Sequence, residues 1–209
     1  MEVTGADRYN PELLPQLEAN VERQVQTGTY NLDTNLCLLR LYQFYPERVQ
    51  PRILSQLLLK AMMALPNRDY DLCLHMIHER FQVEEPLVSL NNLSSLLVGA
   101  KFRDFWLSYM NMKDSLDAVP GFKDKCRSYI VHVLCSTYQK LPKSLLGEAM
   151  FIEGAALDNF INTQKTSAGW TVDADMIVFP ANEDNHPVAK KAAECIPFLH
   201  VSPCLKLSH

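Results

Sequence analysis

Glycine is scarce, at seven in 209 residues. That leaves little from which to build a loop that cradles phosphates, and no P-loop, GxGxxG or GxSxG string occurs. There is no CxxC among the six cysteines, so neither a zinc ribbon nor a thioredoxin-type site is expected. No apolar run reaches the roughly 18 residues that a membrane span needs. The opening MEVTGADRYNPELL lacks the basic-then-apolar pattern of a secretory signal, which points to the cytoplasm, and also to the nucleus. Positive charge is not in excess either: the net charge is −4 and the pI about 5.9. A general nucleic-acid binder carries a basic face. No paired-carboxylate constellation appears, and no enzyme, cofactor or metal is expected.

What is present is apolar helix. In the segment 30–65, YNLDTNLCLLRLYQFYPERVQPRILSQLLLKAMMAL, two helices meet at Tyr45-Pro46. Polar residues keep to thin stripes: Arg40, Gln43 and Glu47 in the first, Arg52, Gln56 and Lys60 in the second. A helix with so narrow a polar stripe must be covered on several sides. Leu39 and Leu57 are placed at the centre of that interior. Cys37, Cys73, Cys126 and Cys135 fall on apolar helical faces and read as small buried hydrophobes, while Cys195 and Cys204 lie in the tail.

Punctuation divides the first half into six helices. Asn10-Pro11 starts one that ends at Thr27-Gly28, and Asp33 or Thr34 caps the next. Pro51 opens a third. Asp69 starts a fourth, expected to carry Tyr70, Cys73, Leu74, Ile77 and Phe81 on one side, and Pro86 opens a fifth that Gly99 ends. A sixth carries Phe102, Phe105, Trp106 and Tyr109. Alternate helices begin about 35 residues apart, the period of stacked helix-turn-helix repeats. The fold class is therefore mainly α, with a HEAT/TPR-like right-handed helical repeat domain over 1–118.

The rhythm breaks at 117–121. A long helix follows with Phe122, Cys126, Ile130, Val133, Leu134 and Tyr138 on one face, ended by Leu141-Pro142. A short helix capped by Ser144 and a third over 155–162 come next. Two apolar runs, 169–172 and 176–179, flank the turn Asp173-Ala174-Asp175 and predict a β-hairpin. Three helices and a hairpin describe a winged helix, over 119–181. The residues 182–209 read as a tail, with one helical turn at 188–193.

The winged helix raises nucleic-acid binding as an alternative function. Its lysines and arginine (Lys123, Lys125, Arg127, Lys140, Lys143 and Lys165) are balanced by Asp124, Glu148, Glu153, Asp158, Asp173 and Asp175. Phosphate attraction, including direct contact with RNA, is then weak. Protein docking is the favoured use of the module. The last strand of the hairpin is expected to leave a free edge that another chain's strand completes. The expected partner interface comprises Trp170, Val172, Ile177 and Val178. A HxxHE string at His75, His78 and Glu79 has the wrong order for a zinc protease and lacks a third ligand.

The strings DRYNPELL (7–14), YNLDTNLCLLRLYQFYPE (30–47) and FWLSYM (105–110) resemble a known family. So do VPGFKD (119–124), HVLCSTYQ (132–139) and GWTVD (169–173). The family is subunit K of eukaryotic translation initiation factor 3, PCI-like and related to modules of the proteasome lid and the COP9 signalosome. The resemblance implies a HEAT-like repeat followed by a winged helix. It also implies a non-enzymatic subunit bound to other subunits of the factor, subunit L foremost, and reaching the 40S ribosomal subunit through the complex. No catalytic residue is implied.

Overall fold

A computed structural model describes residues 5–188. The N-terminus enters as two short 3-10 turns, Gly5–Tyr9 and Pro11–Leu13, the second capped by Asn10, whose Oδ1 accepts from the Glu12 N–H. The α-helix itself starts three residues beyond Pro11. Helix α1 spans Leu14–Thr27, α2 Leu32–Phe44, α3 Pro51–Met62 and α4 Asp69–His75. They are followed by α5 (Glu79–Gln82), α6 (Leu87–Val98), α7 (Phe102–Asn111) and α8 (Lys113–Asp117). Gly28 ends α1 in the left-handed conformation, where a Cβ is costly.

Helix pairs α1–α2, α3–α4 and α6–α7 stack, with α1, α3 and α6 touching in one row and α2 and α4 in the other. The middle member, α3, buries eight of its twelve residues. Leu39 and Leu57 lie at 1% and 0% exposure, as the thin polar stripes require. The stripes are only partly a solvent face: Gln43, Glu47 and Arg52 are exposed, while the others are half-buried or buried. Gln43 donates to the Met76 carbonyl, Arg40 lies over the Tyr9 ring, and Lys60 is 3% exposed.

Helix assignments differ from the sequence reading at further points, among them Ser144, which lies inside the helix Lys143–Met150 and does not cap it. Asn31, not Asp33 or Thr34, caps α2, its Oδ1 accepting from the Thr34 N–H. The fourth helix stops at His75. His78 then caps α5, and the Gln82 amide donates to the carbonyls of Leu74 and Ile77 that the break leaves open. The 117–121 break is preceded by a further short helix, α8.

Helix α9 (Phe122–Thr137), α10 (Lys143–Met150) and α11 (Gly154–Ala168) form the helical part of the winged helix. Strands β1 (Lys140–Pro142), β2 (Thr171–Asp173) and β3 (Met176–Val178) make an antiparallel sheet in the order β1-β3-β2. One apolar cluster runs without interruption from Leu14 to Phe179. The stack and the winged helix therefore share a core. The Trp106 indole N–H of α7 donates to the Ala149 carbonyl of α10 at 2.8 Å across the join. Arg127 of α9 lies over the same indole and donates to the Met150 and Phe151 carbonyls. Beyond the sheet, Asn182 and Asn185 donate to the Cys135 carbonyl and Gln139 to the Asn185 carbonyl, so the first tail residues are fastened to α9. The helical turn expected at 188–193 falls, apart from Val188, outside the described residues, as do Cys195 and Cys204.

Candidate docking surface

A hairpin of two strands would expose an edge on each. Here a third strand changes which edge is open. In β1, Leu141 is buried between Lys140 and Pro142 and pairs with Ile177, while Val172 of β2 pairs with Ile177 from the other side. Strand β3 is thus the middle strand, and the free edge expected on it does not exist. The strand was missed because three residues are too short for a period-2 signal, and Pro142 argued for termination only.

The open edge belongs to β2, which pairs only with β3 among the described residues. All three of its residues face solvent, and Val172 is 39% exposed. Of the other residues expected at the interface, Trp170 and Ile177 are buried, at 3% and 0% exposure. They support the edge from behind: Trp170 packs edge-on against Phe160 and Phe179. Val178 is half-buried on β3. The opposite rim, β1, is blunted by Pro142, which has no N–H, and runs directly into α10.

Helix α11 occupies the place of a recognition helix. It extends to Ala168, six residues past its expected end, and closes on Gly169 in the left-handed region. Its outward face presents Ala155, Ala156, Asn159, Asn162, Thr163 and Thr166. Lys143 is held by Asp158 at 2.5 Å and Lys140 lies 3.8 Å from Asp173. This surface carries no concentrated positive field.

Two clefts flank the α7–α10 join, a feature the sequence did not announce. One, of about 560 Å³, is lined by Trp106, Leu107, Gly147, Phe151, Ile152 and Leu157. The other, of about 430 Å³, is lined by Phe102, Leu134, Tyr138, Leu141, Leu145 and Ala149. The Arg103–Glu148 ion pair, at 3.5 Å, lies between them. Leu107, Tyr138, Leu145 and Phe151 are exposed large apolar side chains. Phe151 holds φ at +52° and stacks on Trp106.

Among the described residues, the histidines and cysteines form no reactive cluster. The His75 ring meets the Asp71 carbonyl and the His78 ring accepts from the Arg80 N–H, so both are tied to backbone. No group of three or more His, Cys, Asp or Glu able to hold a metal occurs among the described residues. Burial pushes the Cys73 and Cys126 thiols up to about 12, which keeps them protonated and unreactive. No helix of the described residues is long and apolar enough to cross a membrane.

Residues 48–191 match the family model described as the CSN8/PSMD8/EIF3K family. The chain belongs to that family. Within it, the chain is 36% identical to a zebrafish (Danio rerio) protein named eukaryotic translation initiation factor 3 subunit K, over 98% of this chain and 92% of the relative. The mouse and human proteins of the same name are 37% and 36% identical over the same shares. The repeat stack and winged helix in this chain fit the PCI-like architecture that the resemblance implied.

Proposed function

We propose that this family member is a non-enzymatic structural subunit of eukaryotic translation initiation factor 3. It docks other subunits, subunit L foremost, and supports assembly of the 40S ribosome–mRNA initiation complex from the cytoplasm. The observation that carries this reading is the likeness, over nearly the whole chain, to proteins named subunit K. The parts are a rigid stack over 1–118, a winged helix over 119–181 and a tail over 182–209. The docking element is the β2 edge, where backbone N–H and C=O groups and the half-exposed Val172 are offered to a strand of a partner. Trp170 and Ile177 hold that edge rigid, and Val178 borders it. RNA contact is at most weak, because the lysines on this face are matched by carboxylates.

Co-purification of the tagged chain from cytosol in gentle salt tests the reading: other subunits of the factor are expected with it, and recovery of the chain alone refutes it. Val172→Lys tests the edge by placing a charge on the strand without touching the core. A binding loss of tenfold or more, with an unchanged melting temperature, is expected. Unchanged binding refutes the edge while leaving subunit membership intact.

A further inference from the structure

The sheet's register fixes what a further strand meets at β2. Toward β1, the Asp175 carbonyl accepts from the Lys143 N–H, and the Phe179 N–H donates to the Gln139 carbonyl, both at 2.9 Å. In an antiparallel ladder the bonding direction alternates residue by residue. Asp175, Ile177 and Phe179 therefore turn their backbone groups to β1, and Met176 and Val178 turn theirs to Asp173 and Thr171 of β2. Between those two, Val172 is left with its N–H and C=O pointing away from β3.

Side chains follow the same register. Residues paired directly across strands share a face. Leu141, Ile177 and Val172 form one row on the core side, at 3%, 0% and 39% exposure. The row is apolar and unfinished at β2. Thr171 and Asp173 stand on the opposite face, and both are exposed. The Asp173 side chain is 76% exposed, with Lys140 Nζ 3.8 Å away. Asp175 in the adjoining turn is a second exposed carboxylate at that end.

Taking β2 as the docking edge, the geometry points to an antiparallel strand of another protein that carries Lys or Arg, then a β-branched apolar residue, then a small polar one. The apolar residue exchanges both backbone bonds with Val172 and extends the buried row. Antiparallel entry lets that single residue satisfy both groups, which suits an edge three residues long. The cation precedes it and stands opposite Asp173, in the closely spaced non-hydrogen-bonded position where cross-strand charges meet. A second copy of β2 does not fit: centred on Val172, it sets Thr171 against Asp173 and leaves the carboxylate without a cation.

The test uses the isotope-labelled full chain and two acetylated, amidated seven-residue peptides with identical flanks, one centred on Lys-Val-Thr and the other on Thr-Val-Lys. Composition and charge are the same in both. The first is expected to shift the Val172 amide resonance and to bind about two- to fivefold more tightly than the second. In Asp173→Asn, an exposed substitution that leaves the core untouched, that preference is expected to vanish. Equal affinity of the two peptides for the unaltered chain, or a preference for Thr-Val-Lys, overturns the inference while the edge itself stands. If neither peptide moves the Val172 amide, the edge reading falls and the inference falls with it.

Discussion

Gln24 is expected to be the most costly polar residue to remove from the first helical pair. It sits at 3% exposure on α1, facing α2. Its amide nitrogen donates to Asn20 Oδ1 and to Asn35 Oδ1, both at 2.8 Å, and its oxygen accepts from the Asn31 N–H at 3.0 Å. Asn20 and Asn35 are buried as well. Replacing Gln24 by Leu keeps the volume but strands two acceptors and two donors, since the Asn35 amide also donates to Gln24 Oε1 at 3.4 Å. Each stranded group costs about 1–3 kcal/mol, and Asn31 retains water access because it is exposed. A loss of about 3 kcal/mol follows, against the roughly 5–15 kcal/mol that holds a typical domain together. Urea unfolding followed by circular dichroism would show it as a midpoint lower by about 1–3 M, with an m-value of roughly 1–3 kcal/mol/M. Adding Asn20→Leu and Asn35→Leu should recover much of the loss, since replacing all partners by apolar groups is far less harmful than orphaning them. A well-folded Gln24→Leu variant that loses less than about 0.5 kcal/mol, the size of an ordinary surface substitution, would refute this account of the α1–α2 contact.

Lys60→Met should stabilise the chain: Lys60 is buried with no partner among the described residues, and burial, then Lys125, pulls its amine below the ordinary lysine value. The charged form is the one the fold disfavours, so the penalty is full below the folded pKa and fades as pH rises toward 10.5. The advantage of Met over Lys, measured by denaturation, should therefore be larger at neutral pH than near that upper limit. Trp106→Phe removes the indole donor to Ala149 across the join and should cost about 1–3 kcal/mol. Amide exchange should accelerate in α10 more than in α1–α3, and a uniform change would show that the bond does not hold the join.

The helical interior was legible because its signal is local. Leu39, Leu57 and Leu58 are so closely surrounded in sequence by other apolar residues that no register of the helix leaves them wet. Gly28 and Pro51 marked ends because their backbone requirements act on immediate neighbours, whereas Gly169, which closes α11, was read as part of the hairpin. Asn31 was passed over as a cap because three candidates stood in four residues, and only the path of the chain chooses among them. The split after His75 was hidden because Cys73, Ile77 and Phe81 keep a helical rhythm through it. At the docking surface, Val172 was placed correctly on a strand, but the open edge was assigned to β3. Three residues around Leu141 decide that point, and they come from a segment more than thirty positions away in the chain.

By itself the sequence determined that this chain is an apolar helical stack followed by a small winged module, because hydrophobic periodicity and helix punctuation act over a few residues. Tertiary structure alone decided which strand has a free edge, that Gln24 is buried among polar partners, and where the clefts beside α7 open. Those outcomes depend on groups distant in sequence meeting in space, where each buried donor or acceptor must be satisfied by whatever the fold brings to it.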